Sequence, residues 1–375
     1  MPGIRKFLPT LLIGSLLTMS VFTGCGRNPV NSNGKGSQSV PGQQKRPHVT
    51  RILQPESDQL FTIGDAFTTV VDKVADTVNN IDSVEFFFGG SKIHACLEAP
   101  YAYEFNTGSR QVGSLSIRTV TWLADGHKEY HNLQVLLRSN IIPENLPYQI
   151  VNAYPHDKKA YTQGLIYKDG YLYEGTGQYN ESSLRKVEIK TGEPIRLTML
   201  AGEIFGEGIT IFNEKIYQLT YKSQVGFVYD QESFKRIQKV YYQNKEGWGL
   251  THDETHLIMS DGSHRIYYMD PEYFTEFRQL EVYDNKGPVT RLNELEYIEG
   301  KIFANIYGED EIVIIDPVTG KVSGKLNMRG ILDKKDRHSR IDVFNGIAWD
   351  PDKKMLYVTG KYWPRLFEIS IGEGI

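Results

Sequence analysis

The chain has 375 residues and a formal net charge of −4, which gives no electrostatic case for nucleic-acid binding. Its aromatic content of 12%, with 23 tyrosines, is enough to fill large cores. A length near 150 residues per domain suggests two or three units.

At the N-terminus, Arg5 and Lys6 precede an apolar run from Phe7 to Phe22, then Thr23-Gly24 and Cys25. This order predicts a secretory signal over residues 1–25, cleaved to leave Cys25 for lipid attachment, as in a bacterial lipoprotein. The expected location is the cell envelope, on the exported face of a bacterial membrane. One other cysteine exists, Cys96, so no intramolecular disulfide is expected once Cys25 is lipidated. Residues 26–47 are Gly, Ser, Asn, Gln and Pro with little apolar content, and read as a flexible tether.

Residues 48–147 alternate apolar and polar positions in short runs. Val84-Glu85-Phe86-Phe87-Phe88 stops at Gly89-Gly90, the run Gly113 to Trp122 stops at Asp125-Gly126, and Leu133 to Leu137 follows. About a hundred such residues predict an immunoglobulin-like β-sandwich. No catalytic constellation stands out in it, so it reads as a spacer or docking module.

From residue 148 to 375 one pattern recurs. Gln163-Gly164-Leu165, Glu207-Gly208-Ile209, Trp248-Gly249-Leu250, Asn293-Glu294-Leu295 and Asn345-Gly346-Ile347 each open an apolar strand. Their leading residues are 44, 41, 45 and 52 positions apart, the period of a four-stranded blade. The fold class is therefore all-β, a five-bladed β-propeller preceded by the small sandwich. A second column lies fourteen positions after the first four leaders, at Gly177, Tyr221, Gly262 and Tyr307, and sixteen after the fifth, at Lys361. Radial repetition would bring Gln163, Glu207, Trp248, Asn293, Asn345, Tyr221, Tyr307 and Lys361 to one pocket. Asp-Gly and Glu-Gly turns between β-rich runs, as at Asp169-Gly170 and Glu299-Gly300, argue hairpins.

Two places invite a metal reading. His252 and His256 are four apart, but they fall where the other repeats have a hairpin turn, which does not put both imidazoles on one face. Glu294 stands where the other leading pairs have glycine. A carboxylate there needs a structural calcium with backbone carbonyls, a buried hydrogen bond or a pairing with Arg291.

The runs Pro155-His156-Asp157, Tyr161 to Leu165, Gly206-Glu207-Gly208, Gly247 to Leu250, Leu292 to Glu296, Phe344 to Asp350 and Thr359 to Pro364 resemble the plant-type glutaminyl cyclases, or glutamine cyclotransferases, over residues 148–372. The resemblance implies a monomeric five-bladed propeller that converts N-terminal glutamine of peptides and proteins to pyroglutamate, releasing ammonia without catalytic zinc or another cofactor. It implies Glu207 as the acid/base residue, and cyclisation needs one carboxylate able to take a proton from the amine and return it to the departing ammonia. Asn293 and Lys361 are implied as donors to the oxyanion of the tetrahedral intermediate. Gln163 would bond the substrate's amine or amide, with Asn345 completing the column. Trp248, Tyr221 and Tyr307 would form an apolar wall that holds glutamine folded back. The family pattern has tryptophan at the positions of Tyr221 and Tyr307, so this chain departs there. A rival reading is a catalytically silent propeller lipoprotein that binds peptides or proteins; the simultaneous presence of Glu207, Asn293 and Lys361 speaks against it.

Overall fold

The computed structural model describes residues 46–74, 80–108 and 110–372. Cys25, the signal segment and the tether up to residue 45 lie outside the described residues. The described residues contain no α-helix; a single 3-10 turn, Lys334–Asp336, interrupts the strands.

The N-terminal part packs a three-stranded sheet against a five-stranded one. The first orders Thr50–Gln54, Ala66–Lys73 and Ala102–Asn106; the second orders Leu60–Thr62, Lys128–Arg138, Gly113–Leu123, Ile81–Phe88 and Ser91–Cys96. Strand Gly113–Leu123 shows why: Leu115, Ile117 and Leu123 are buried, while Ser114, Ser116 and Arg118 are exposed, the two-residue period of a sheet with one face on a core. Val84, Phe86, Ile117 and Val135, all fully buried, form the centre of that core. This is the immunoglobulin-like unit. Tyr283, from the C-terminal part, completes the cluster.

The C-terminal part contains five sheets, each an antiparallel meander. Their first strands are Thr162–Lys168, Gly206–Phe212, Leu250–His252, Leu292–Ile298 and Phe344–Asp350. Each first strand touches the next, and the fifth touches the first. Three sheets take all their strands from consecutive sequence, and the fourth takes four of its five so. The fifth borrows its outer strand, Tyr148–Pro155, from the beginning of this part, pairing it with Arg365–Ile371 near the chain's end. The short strand Glu144–Asn145 joins the fourth sheet beside Val322–Asn327.

Glycine is required where first strands meet. A Cβ on Gly164 would run into the backbone nitrogen of Ile209, and one on Gly249 into the carbonyl of Asn293. Neither neighbour is a side chain that could swing away. The fourth sheet has Glu294 instead, which reaches across the axis: one carboxylate oxygen accepts from Leu165 N at 3.2 Å and the other from Ile347 N at 2.9 Å. Of the readings for this residue, the buried hydrogen bond is the geometry present, since Arg291 pairs with Glu309 at 2.8 Å. Burial lifts the Glu294 carboxyl well above its usual range, reinforced by the neighbouring Glu296 carboxylate. Asn345 also ties the ring, its Nδ2 donating to Thr162 O at 3.0 Å and so joining the fifth sheet to the first.

The two parts meet at Glu281, which accepts from Ser114 N at 2.8 Å, and at Asp284 O, which accepts from Ser139 N at 3.0 Å. Gly113, at φ +113°, passes so close to Glu281 that a Cβ there would lie 2.6 Å from its carboxylate.

Candidate active site

The leading residues owe their direction to breaks in register. In the first, second, fourth and fifth sheets the ladder between the first two strands slips at the leading pair: between Thr162 and Gly164, Gly206 and Ile209, Leu292 and Leu295, and Phe344 and Ile347. A local bulge of this kind turns side chains out of the sheet's alternation. In four of the sheets the second column is set by backbone bonds to the residue two places before the leader. Gly177 N donates to Tyr161 O at 2.9 Å, Tyr221 N to Phe205 O at 3.0 Å, Tyr307 N to Arg291 O at 2.9 Å and Lys361 N to Val343 O at 2.9 Å.

These positions converge on a cavity of about 290 Å³ lined by Tyr161, Gln163, Gln178, Phe205, Glu207, Tyr221, Trp248, Asn293, Tyr307 and Lys361. That is at the small end of ligand sites and fits one chain end better than an extended peptide. The two glycines of the second column make room for rings. A Cβ on Gly177 would strike the Phe205 ring, and one on Gly262 would lie 2.7 Å from the Trp248 indole.

Glu207 is 4% exposed, and its Oε1 accepts from Gln163 Nε2 at 2.9 Å. Burial pushes its carboxyl well above the usual range; the Lys361 ammonium pulls it back and the Glu246 carboxylate pushes it further up. Lys361 is 2% exposed, and burial lowers its ammonium pKa, opposed by the negative charges of Glu207 and Asp342. Its Nζ lies 4.7 Å from the Tyr161 ring centre and 5.3 Å from that of Tyr307, so two π faces attend the cation. The carbonyl oxygens Gln163 Oε1 and Asn293 Oδ1 are buried with no protein partner, two acceptors suited to an incoming N–H.

Aromatic rings form the wall. Trp248 and Tyr307 meet edge to face at 5.4 Å, and Phe205 and Tyr221 are tilted at 5.5 Å. Glu246 braces this wall. Its Oε2 accepts from Trp248 Nε1 at 3.0 Å, its Oε1 lies 3.4 Å from Lys222 Nζ, and that Nζ sits 4.5 Å from the Tyr221 ring centre.

Seven of the eight residues named from the two columns therefore line one cavity. Asn345 does not; its amide is engaged with the backbone of the first sheet. Glu294 lies outside this lining, its carboxylate held by Leu165 N and Ile347 N. His252 and His256 sit in a hairpin turn, where Asp253 N donates to His256 O at 3.0 Å. Tyr161, Phe205, Gln178 and Glu246 were not singled out from the sequence. Tyr161, Phe205 and Glu246 occupy the position two before a leader, a third column that the repeat already contained.

Residues 128–371 match the family model for glutamine cyclotransferase, and residues 47–128 match that for a bacterial Ig domain. The glutaminyl-peptide cyclotransferase of Arabidopsis thaliana is 40% identical over 228 residues, 60% of this chain and 71% of that protein. The crystal structure of Myxococcus xanthus glutaminyl cyclase superposes with a TM-score of 0.57 at 33% identity, covering 61% of this chain and 98% of that one.

Proposed function

The chain belongs to the glutamine cyclotransferase family and is a glutaminyl-peptide cyclotransferase, and from that premise we propose that Glu207 carries the proton on which its reaction turns. The substrate is a peptide or protein with N-terminal glutamine. Its α-amine attacks the γ-carboxamide carbon, closing a five-membered ring. Glu207 takes one proton from the attacking nitrogen and gives it to the departing one, which leaves as ammonia. A free carboxylate is too weak a base for this near neutral pH; burial brings Glu207 nearer the range of an α-amine, about 8.

Asn293 Nδ2 and the Lys361 ammonium donate to the oxygen that becomes negative in the tetrahedral intermediate. Gln163 holds Glu207 in place with its Nε2, and its free oxygen accepts from the substrate's amine or amide. The wall of Trp248, Tyr221 and Tyr307 folds the side chain back toward its own amine, the arrangement that makes intramolecular attack fast. Phenols at Tyr221 and Tyr307 offer less area than indoles and add a hydroxyl each, which affects affinity and residue preference more than reaction type.

We read the ring as a five-bladed propeller. Supporting this are the five meanders, the cyclic contact of their first strands and the borrowed outer strand that closes the last sheet on the first. We take catalysis to be metal-independent. The cavity lining includes one carboxylate and neither histidine nor cysteine, a donor set too poor for a zinc site. Lipid attachment at Cys25 would place the enzyme at the exported face of the envelope, supported by the basic and apolar residues that precede it.

The observation that carries the mechanism is the buried Glu207 carboxyl sharing a cavity with Asn293 and Lys361. Mass spectrometry of a glutamine-initiated peptide incubated with the protein tests it. Loss of ammonia that persists under a strong zinc chelator supports the side-chain mechanism. A peptide bound but unchanged would point to the silent binding module, and turnover lost on chelation and restored by zinc alone would refute metal independence.

A further inference from the structure

On the sandwich, apart from the cavity, His48, Glu129 and His131 bring two imidazoles and a carboxylate together, with their candidate ligand atoms all within 4.8 Å of one another. Glu129 and His131 are alternate residues of strand Lys128–Arg138 and so face the same side. His48 enters from the residues just ahead of strand Thr50–Gln54. We propose that these three residues form a binding site for one divalent transition metal of the zinc class. Two imidazoles and a carboxylate are a recurrent zinc donor set that leaves a fourth position for water.

The surroundings are those of a ligand set already oriented. Glu129 is 6% exposed; its Oε2 accepts from Thr50 N at 2.9 Å and from the Thr50 hydroxyl, while Oε1 accepts, among the described residues, from Val49 N alone at 2.8 Å. Oε1 therefore keeps a lone pair, and the backbone donors play the outer-shell part that fixes a ligating carboxylate. His131 Nε2 lies 3.8 Å from Glu129 Oε2 and 2.9 Å from Thr50 Oγ1. The His48 ring stands edge-on to that of His131, their centres 5.0 Å apart. His48 is exposed, so its ring is free to swing the short distance needed to reach bonding range, about 2.0–2.1 Å from zinc.

Fastening the start of the sandwich accounts for the carboxylate and its three donors, but not for two imidazoles beside it.

Zinc chloride titrated into the metal-stripped full-length protein by isothermal calorimetry tests the site. One zinc per chain is expected, with a rise in Tm. His48→Ala, which alters an exposed side chain and leaves the Glu129 bonds intact, should weaken binding at least tenfold, and His131→Gln should abolish it. Calcium should bind at least tenfold more weakly than zinc. Glu207→Gln should bind zinc as the wild type does, and His48→Ala should cyclise peptides at the wild-type rate. The absence of a one-to-one zinc isotherm, unchanged affinity in His48→Ala, or calcium binding as tight as zinc would each overturn the proposal.

Discussion

Replacing Glu207 with glutamine keeps the shape of the side chain and an oxygen to accept from Gln163 Nε2, now 2.9 Å from Oε1, but removes the only carboxylate in the cavity lining. General acid–base catalysis is worth about 10²–10⁴-fold. Here both proton transfers fall to one group, so a loss of at least about 10²-fold in kcat is expected, about 2.7 kcal/mol or more of barrier. Peptide binding should persist, because the aromatic wall and the Gln163 and Asn293 acceptors are untouched. Stability should not fall. A carboxyl whose folded pKa is raised disfavours the folded state once pH exceeds its ordinary value of 4.5, and the neutral amide removes that penalty. The assay is steady-state ammonia release across pH, with a thermal melt beside it. Wild-type kcat/KM should climb as Glu207 ionises, well above pH 4.5, and the variant should keep only the climb set by the substrate's own α-amine, about 8. A correctly folded Glu207→Gln enzyme turning over within a few-fold of wild type would move the proton to another group and refute the assignment.

Asn293→Ala and Lys361→Ala should each lower kcat by roughly 10- to 10³-fold, with a smaller change in peptide affinity measured by single-turnover kinetics. Lys361→Ala also removes the cation that holds Glu207 down, so the acidic limb of residual activity should move to higher pH. Glu246→Gln should move that limb the other way, because it removes a negative charge while an oxygen remains to accept from Trp248 Nε1; unshifted profiles in both variants would refute this electrostatic account. At the joint between the two parts, burial would raise the Glu281 carboxyl, but the nearby His264 imidazole and the bonds from Ser114 bring it down to about 2. Its contribution to stability is therefore complete above about pH 4.5 and lost as pH falls toward 2. Acid titration of thermal stability should show that loss, and Glu281→Gln should reduce it.

How much of this was legible in the chain depends on whether a property repeats locally. The five leading pairs recur because each sheet must turn a side chain inward at the same step and bring its backbone against the next, which favours glycine at Gly164, Gly208 and Gly249. Alternation in Gly113–Leu123 and the Asp-Gly turns are likewise dictated by neighbours in sequence. So the all-β character and seven of the residues that line the cavity could be read before any coordinate. Tertiary structure decided what depends on partners far along the chain. Asn345 fits the column as well as Asn293 does, yet its amide bonds Thr162 O, 183 residues away, because the last sheet must be fastened to the first. Glu294 takes backbone donors from two other sheets, partners that no spacing encodes. Glu246 braces the wall only because Lys222 and Trp248 meet beside it. His48 reaches Glu129 and His131 across some eighty residues because strand Thr50–Gln54 of one sandwich sheet begins beside strand Lys128–Arg138 of the other. Periodicity encodes where a side chain points within its own sheet; the charge on Glu207 and the partners that hold it are set by burial and by groups brought from other sheets.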